Sequence, residues 1–284
     1  MEGPRVQALP GGRLHLQHGP IDVVLRAYGA EAAVAEAHRA AQSRFRPLLG
    51  ELVAELGELR KPMSARPRVE GAVARRMVAA CRPHRVFITP MAAVAGAVAD
   101  ELLAAMREAA PLDRAFVNDG GDIALHLAEG ESIAVGVAGD FSRGPVPAVN
   151  GRVTLTHADG IFGIATSGRQ GRSFSLGIAD SVTVLARDAA GADAAATLIA
   201  NAVDLPGHPG IRRTPASRLD PDSDLGAQPV TVAVAPLPPE AVAEALAAGR
   251  ARAAALRAAG LIRDAALSLQ GQTLTLGTLR EIRP

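Results

Sequence analysis

The chain has 284 residues, and its 30 Lys and Arg residues nearly balance 29 Asp and Glu residues, for a formal net charge of +1. This balance argues against a protein that binds nucleic acid or an anionic membrane through a strongly positive field. Aromatic residues make up 2% of the chain and Trp is absent, so we expect no stacking platform for single-stranded nucleic acid. The single cysteine, Cys81, excludes an internal disulfide and a cysteine-based zinc cage.

The sequence shows no recognisable targeting or membrane-spanning segment. No apolar stretch follows Arg5, as it would in a signal peptide. The longest uncharged apolar run, residues 86–99, contains Pro90 and is shorter than the roughly 20 residues that a membrane helix needs. We therefore expect a cytoplasmic protein with neither nucleic acid nor membrane among its partners.

Up to about residue 110 the pattern is mostly helical. A weak alternation over residues 14–28 first predicts a hairpin. Residues 31–59 carry apolar side chains at helical spacing, and Pro47 predicts that they form two helices instead of one. Residues 70–80 predict a third helix. Pro90 begins an alanine-rich helix whose lack of large side chains predicts close approach to another helix or to a sheet.

After residue 113 the apolar spacing changes to the alternation that is typical of strands. Glycine-rich turns separate these segments, as they do between consecutive antiparallel strands. The segments are 115–117, 123–127, 133–137, 153–155 and 161–165. Residues 181–186 predict a further strand, and a helix follows from about 192 to 203.

Residues 205–228 have no apolar periodicity, and a stretch of this kind is usually functional or disordered. Beyond it the pattern predicts a strand over 230–234, a long helix over 238–259 and a hairpin over 265–276.

Helices first, then a meander of strands, then mixed elements favour an α+β fold with helices packed on a largely antiparallel sheet. We expect a single domain over residues 1–284 with four parts. These are a helical part from about 30 to 110, a sheet-rich part from about 113 to 204, the loop 205–228, and a strand, helix and hairpin over 230–284.

The densest candidate binding segment is Asn118-Asp119-Gly120-Gly121-Asp122, between two predicted strands. Two glycines let the backbone approach a bulky ligand, and the three polar side chains offer oxygen atoms. Asn, Asp and Gly also dominate ordinary hairpin turns, and this segment taken alone favours that interpretation.

A second candidate, Thr166-Ser167-Gly168, also follows a predicted strand. Its hydroxyl groups, with the nearby Arg169 and Arg172, suit a phosphate group or the carbonyl of a flavin ring. A simple polar turn explains the same residues equally well.

Asp193 and Thr197 are four residues apart in a predicted helix and therefore share one of its faces. A carboxylate and a hydroxyl so placed suit a hard, oxygen-seeking cation such as Mg²⁺, whose other ligands are usually substrate phosphates. Asp193 suits the role of a helix cap equally well.

Cys81 lies beside Arg82 and near His84 in the sequence, and such a setting can lower the pKa of a thiol. We nevertheless expect a structural or incidental cysteine.

In this order the motifs resemble the ApbE-like superfamily, whose best-known members are FAD:protein FMN transferases. Those enzymes carry a strand ending in N-x-G-G-[DE]-I, an A-T-S-G turn, an S-V-T-V strand and an A-D-A-x-A-T helix. The corresponding segments here are 118–123, 165–168, 181–184 and 192–197. Three longer stretches, 87–100, 117–125 and 205–226, also resemble an uncharacterised, divergent branch of that superfamily.

The resemblance implies an ApbE-type α+β fold and Mg²⁺ bound by Asp193 and Thr197, which would also be the catalytic residues. It implies FAD as substrate or ligand, with the flavin nucleotide bound by the two glycine-containing turns described above. In the flavin transferases the cation bridges the FAD pyrophosphate, and FMN passes to a threonine of an acceptor protein with release of AMP. Mg²⁺ suits this chemistry because it neutralises the pyrophosphate and stabilises the departing AMP.

Two segments depart from the transferase pattern. Residues 169–180 contain no histidine, whereas the transferases have a histidine-containing segment there. Ala95 stands where they carry a lysine that helps to hold FAD. The sequence therefore predicts one of three functions. The first is FMN transfer or FAD pyrophosphate cleavage, and the second is non-catalytic binding of a flavin or other phosphorylated cofactor for a partner enzyme. The third is recruitment of the scaffold to other metabolism, such as sulfur transfer through Cys81.

The small side chains of the alanine-rich helices suit packing across a homodimer interface as well as packing in the core of one chain.

Overall fold

The computed structural model describes residues 3–140, 148–171 and 173–277. Its α-helices are α1 (Glu31–Ala54), α2 (Leu56–Leu59), α3 (Ala72–Cys81), α4 (Val94–Ala109), α5 (Ala189–Ala202), α6 (Ala216–Leu219) and α7 (Pro239–Ala258). Its strands are β1 (Arg5–Leu9), β2 (Arg13–His18), β3 (Ile21–Tyr28), β4 (Arg114–Asp119), β5 (Asp122–Leu127), β6 (Ser132–Asp140), β7 (Ala148–Thr156), β8 (Gly163–Ser167), β9 (Ser181–Ala186), β10 (Ile211–Pro215), β11 (Pro229–Val234), β12 (Asp264–Leu269) and β13 (Gln272–Leu276). None of these helices is both long and apolar enough to cross a membrane.

The chain divides into two compact units. The first comprises Met1–Ile133, Leu155–Ala165 and Ala186–Asp193, and the second comprises Ala134–Thr154, Thr166–Leu185 and Ala194–Pro284. The single domain that the sequence leads us to expect stays a prediction.

The sheet of the first unit is an antiparallel meander. Strands β1 to β5 are neighbours in chain order, and β8 pairs with β5. Alternation along β3 places its apolar side chains on one buried face, and these are Ile21, Val23, Leu25 and Ala27. Helix α4 contacts α1, β4 and β5, so the core of this unit lies between the sheet and these helices.

Strands β6 and β7 form a separate two-stranded sheet, which corrects the predicted continuous meander. The place beside β5 is taken by β8, where Ile123 pairs with Ile164 and Ala124 with Gly163. Apolar alternation identifies a strand but carries no information about its neighbour, because pairing depends on tertiary contacts.

Helix α1 runs without a break through Pro47, whereas the sequence predicts two helices divided there. Proline removes one backbone N–H donor and normally kinks or ends a helix. Here the pyrrolidine ring is exposed, while the apolar side chains around it are buried in the core. These buried residues are Phe45, Leu48, Leu49 and Leu52. Their burial keeps the helix continuous despite the missing hydrogen bond.

The alanine-rich helix predicted from Pro90 begins as a 3₁₀ turn over Pro90–Ala93 and continues as α4. Gly96 in its first turn lies against the backbone of Ala189 and Ala190 at the beginning of α5. The prediction left open whether this helix approaches a helix or a sheet, and the structure shows that it approaches helix α5.

The sheet of the second unit has the order β9-β12-β13, and every residue of β9 and β12 is buried. Helix α7 packs on β12 and β13. Gly249 permits this, because a Cβ there would lie 2.3 Å from Val203 Cγ2 and 2.8 Å from Leu267 Cδ2.

The segment 205–228, predicted as a long loop, contains regular structure. Strand β10 pairs antiparallel with β11, and α6 follows β10 directly. In β10 only Ile211 is buried, so the strand has no apolar alternation to reveal it. Taken together, helices and antiparallel sheets confirm the predicted α+β class with a largely antiparallel sheet.

Candidate functional site

Strands β4 and β5 are joined by the turn Gly120-Gly121, in which the two glycines have φ angles of 63° and 116°. This backbone conformation favours glycine because it has no Cβ. The Asn118 side chain closes the turn, since its Oδ1 accepts a 2.8 Å hydrogen bond from the Gly121 N–H. Asn118 therefore has the structural role that an ordinary hairpin turn requires.

Asp119 and Asp122 flank this turn and lie directly opposite each other in the antiparallel register. Both side chains are buried, with exposed fractions of 6% and 9%. Asp119 Oδ1 accepts a 3.3 Å hydrogen bond from the N–H of Asp22, which ties it to β3. Two carboxyl groups in this register lie side by side at the end of the hairpin.

Asp193 in α5 is held by the first turn of α4. Its Oδ2 accepts a 3.1 Å hydrogen bond from the Gly96 N–H, and the Ala95 N–H also donates to this carboxylate. The first N–H groups of a helix have no acceptor within the helix, and the helix dipole favours a negative charge there. The geometry therefore places a carboxylate where backbone dipoles stabilise its charge.

Asp193 is also close to Asp119 and Asp122, and all three belong to the first unit. Burial raises the pKa of Asp193 well above its usual value, and the negative charges of Asp122 and Asp119 raise it further. The hydrogen bonds from Gly96 and Ala95 oppose this shift only in part. The structure thus places two further carboxyl groups close to Asp193, and their negative charges disfavour ionisation of the Asp193 carboxyl.

The carboxyl oxygen atoms at this site suit a hard cation that also binds water or the phosphates of a substrate. Across residues 3–140, 148–171 and 173–277, no group of three or more His, Cys, Asp and Glu side chains is arranged to hold a metal ion. Mg²⁺ does not need such a cage, because it binds through one or two carboxylates together with water and substrate phosphates. The residues around Asp193 therefore fit Mg²⁺ that is bound with a phosphorylated ligand.

The second candidate turn belongs to the second unit. Thr166 Oγ1 lies 2.9 Å from Thr183 Oγ1, and the Thr197 hydroxyl donates a long hydrogen bond of 3.5 Å to the Ser167 hydroxyl. Thr197 lies one helical turn beyond Asp193 in α5, so the two residues share a face of that helix as the spacing predicts.

Gly168 and Arg169 complete this turn and are both engaged by Asp180. Gly168 has a φ of 144°, and a Cβ there would lie 2.5 Å from the Asp180 carbonyl oxygen, so the turn requires glycine. Arg169 Nη2 donates a 2.6 Å hydrogen bond to Asp180 Oδ1. Because this ion pair offsets the charge of Arg169, the arginine is a weaker phosphate ligand than the sequence suggests. Arg172 lies outside the described residues.

For Cys81 the structure favours the expected structural role over the alternative of a thiol with a lowered pKa. Its side chain is fully buried at the end of α3, and Sγ lies 3.4 Å from the Thr89 carbonyl oxygen. Burial raises the pKa of this thiol, and the negative charge of Asp193 raises it further. The effect of burial on the pKa of the thiol outweighs any effect of the basic residues that neighbour Cys81 in the sequence. Sulfur transfer through Cys81 is therefore not supported.

Sequence reasoning missed the contribution of α4 to this site. Besides Gly96, helix α4 provides Asp100, whose Oδ1 and Oδ2 accept hydrogen bonds of 3.1 and 2.9 Å from the N–H groups of Ala189 and Ala190. A signal is present in the sequence, because Gly96 and Asp100 are four residues apart on one face of an alanine-rich helix.

Several archaeal proteins are similar to part of this chain. A UPF0280 protein of Methanothrix thermoacetophila is 42% identical over 125 residues, which are 43% of this chain and 50% of that protein. A UPF0280 protein of Methanopyrus kandleri is 39% identical over 136 residues, which are 47% of this chain and 51% of that protein. The chain thus matches about half the length of these curated relatives.

Two solved structures are also similar. The apo crystal structure of the Pseudomonas stutzeri flavinyl transferase ApbE matches with a TM-score of 0.40 and 14% identity, over 98% of this chain and 96% of that chain. The ApbE protein from Thermotoga maritima matches with a TM-score of 0.29 and 18% identity, over 62% of this chain and 67% of that chain.

The chain also matches the sequence model of a protein family. The sequence model of the family described as AbpE bacteria matches residues 6–275, which is nearly the whole chain. The ApbE-like resemblance drawn from the four motifs is thereby confirmed, and the chain belongs to the family described as AbpE bacteria.

Proposed function

We propose that this protein binds a flavin nucleotide, FAD, together with Mg²⁺, and that the Asp193 carboxylate holds the cation. The observation that carries the proposal is the position of Asp193 at the first turn of α4, with the charges of Asp119 and Asp122 close by. Membership of an ApbE-like family supports FAD as the nucleotide.

Electrostatics explain why the cation and the nucleotide should bind together. The Gly96 and Ala95 N–H groups of α4 offset the effects of burial and of the nearby carboxyl groups on Asp193 only in part, and the pKa of Asp193 stays raised. A pyrophosphate that approached this cluster without a cation would add further negative charge. Bound Mg²⁺ would supply the positive charge that offsets this repulsion.

Within this proposal Asp193 and Thr197 would be the protein ligands of Mg²⁺, which would bind together with the phosphates of FAD. When bound, the cation neutralises the pyrophosphate and stabilises AMP as a leaving group. The Gly120-Gly121 turn is a suitable approach for the nucleotide, since no described atom lies within 4 Å of a Cβ placed on Gly121. Thr166, Ser167 and Gly168 provide the second set of contacts to the flavin nucleotide.

The reaction that this arrangement supports is cleavage of the FAD pyrophosphate, in which FMN is transferred to an acceptor protein or to water and AMP is released. A second candidate is a module that holds FAD for a partner enzyme without cleaving it. Ala95 favours this second candidate, because the first turn of α4 presents a methyl group where the transferases have a lysine.

The binding proposal is tested by titrating the purified protein with FAD, followed by flavin fluorescence, in Mg²⁺ and in EDTA. We expect saturable binding in Mg²⁺ that is lost in EDTA, and Asp193→Asn should abolish the difference between the two conditions. Asp188→Asn is the matched control, because Asp188 is an exposed residue at the beginning of the same helix. Binding that persists equally in EDTA, or in Asp193→Asn, contradicts the proposal.

Chromatography of the incubated mixture separates the two candidates. Free AMP in molar excess over protein shows catalysis, whereas intact FAD recovered in stoichiometric amounts shows a binding module.

A further inference from the structure

Helices α4 and α5 cap each other at their first turns. Asp193 of α5 accepts the hydrogen bond of the Gly96 N–H of α4. Asp100, one turn further along α4, accepts the N–H groups of Ala189 and Ala190 at the beginning of α5, one on each carboxylate oxygen. Each helix therefore supplies a carboxylate for N–H groups that have no acceptor within the other helix.

The packing around these two caps leaves little freedom for the beginning of α5. On the side of α4, a Cβ on Gly96 would lie 2.8 Å from the Cα of Ala190. On the side of β8, a Cβ on Gly163 would lie 2.0 Å from the carbonyl oxygen of Asp188. The backbone just before and within the first turn of α5 is thus held between two glycines.

We propose that Asp100 is a positioning residue for Asp193. Its two hydrogen bonds hold the first turn of α5 against α4, and the Asp193 carboxylate lies on the next turn of α5, so its position depends on that contact. The inference rests on the proposed function, because the position matters to a ligand only if Asp193 binds the cation. Asp100 itself makes no contact with the nucleotide or the cation in this proposal.

Asp188 provides a comparison that separates positioning from simple helix stability. Its Oδ1 accepts a 2.7 Å hydrogen bond from the Gly191 N–H, so it caps the same end of α5. This bond lies within the segment that forms α5 and does not connect it to α4. Removing either carboxylate should weaken the end of α5, but only removal of Asp100 loosens α5 from α4.

The test compares Asp100→Ala with Asp188→Ala in the full chain, using two readouts. The first is amide hydrogen exchange at Gly96 by NMR, which reports the bond to Asp193 without any ligand. The second is the Kd for Mn²⁺ in the presence of FAD, from the EPR signal of free Mn²⁺. We expect Asp100→Ala to speed exchange at Gly96 and to raise the Kd about 10- to 100-fold, whereas Asp188→Ala changes the Kd by less than about twofold. Asp100→Asn, which keeps one acceptor oxygen, should recover part of the affinity.

Unchanged exchange at Gly96 in Asp100→Ala overturns the positioning role, and so does an equal loss of Mn²⁺ affinity in the Asp188→Ala protein. If Asp100→Ala does not fold, Asp100→Asn carries the same comparison. If the unmodified protein binds no Mn²⁺ but Asp100→Ala still speeds exchange at Gly96, the proposed function is overturned, while the coupling between the two caps stands.

Discussion

Gly96 and Ala189 approach so closely that a Cβ on Gly96 would lie 2.3 Å from the Ala189 carbonyl oxygen. The obstacle is backbone, so no side-chain rotation can relieve it. The N–H of the same glycine donates to Asp193. One residue thus combines a packing requirement with the placement of the candidate cation ligand.

Replacing Gly96 by alanine should therefore damage both stability and ligand binding. We expect Gly96→Ala to lower the free energy of unfolding by about 2 kcal/mol or more, because overpacking a tight contact usually costs about 1–3 kcal/mol. Mg²⁺-dependent FAD binding should weaken as α4 moves away from Asp193. Urea unfolding and the fluorescence titration measure the two effects.

Gly50→Ala is the matched control for that substitution. Gly50 is exposed within α1, and no described atom lies within 4 Å of a Cβ built there. Alanine is the better helix former, so this variant should gain about 0.5–1 kcal/mol. If Gly96→Ala were as stable as Gly50→Ala, the close contact between α4 and α5 would be wrong.

Asp100 should make stability depend on pH. Burial raises the pKa of its carboxyl from 3.8 to about 6, although the Ala190 and Ala189 N–H groups oppose the shift. Between these values the folded protein holds a proton that the unfolded chain has released. This contribution to stability is therefore complete at low pH and is lost as the pH rises through about 6.

Urea unfolding of the unmodified protein and of Asp100→Asn at several pH values tests this expectation. The stability advantage of the unmodified protein over the variant should shrink from about pH 4 to about pH 7. Asp193 titrates in the same direction but is present in both proteins, so the difference isolates Asp100. A difference that stays constant over this range would contradict the raised pKa.

A strand can be predicted from its sequence when its apolar residues alternate, because one face of the strand is buried. Strand β3 alternates buried and more exposed residues along its whole length, and the pattern of its sequence predicts it. Strand β10 has one buried residue, Ile211, and gives no such signal. The neighbour of β5 could not be predicted either, because β8 follows β6 and β7 in the chain and only tertiary contacts select its pairing with β5.

For the site, the motifs locate candidate residues but not what holds them. The sequence offers two interpretations of Asp193, a cation ligand and a helix cap. The structure shows that it does cap a helix, but the helix is α4 instead of its own α5, at a separation of 97 residues. The four-residue spacing of Gly96 and Asp100 marks one face of α4, but a contact between segments so far apart leaves no local pattern that identifies the helix on the other side.

Pro47 offers a test of how much a proline costs inside a continuous helix. It is exposed within α1, so replacing it by alanine leaves no cavity and restores a backbone N–H donor. We expect Pro47→Ala to raise the free energy of unfolding by about 1–3 kcal/mol. A proline inside a helix destabilises the folded protein by about 3 kcal/mol, whereas its restriction of the unfolded chain stabilises the folded protein by about 0.4–1 kcal/mol. Urea unfolding measures the gain, with Arg46→Ala at the adjacent exposed position as control. A loss of stability would show that α1 is interrupted at Pro47.

Cys81 should be chemically inert as long as the protein is folded. Its side chain is fully buried in the folded protein, so a reagent reaches the thiol only after unfolding. Burial also raises the pKa of the thiol, so very little thiolate is present near neutral pH. We expect a thiol-specific chromogenic reagent to react with the native protein only at the rate of unfolding. In denaturant the same reagent should react rapidly and in a ratio of one thiol per chain, because Cys81 is the single cysteine.

The dependence on denaturant separates this expectation from a reactive thiol. If labelling of the native protein is fast and does not change with stabilising conditions, Cys81 is accessible and a sulfur-transfer role returns to consideration. Cys81→Ser provides the control, since its hydroxyl can keep the hydrogen bond to the Thr89 carbonyl oxygen. This variant should bind FAD and Mg²⁺ as the unmodified protein does, because burial raises the pKa of the thiol and disfavours the thiolate that would bind a cation.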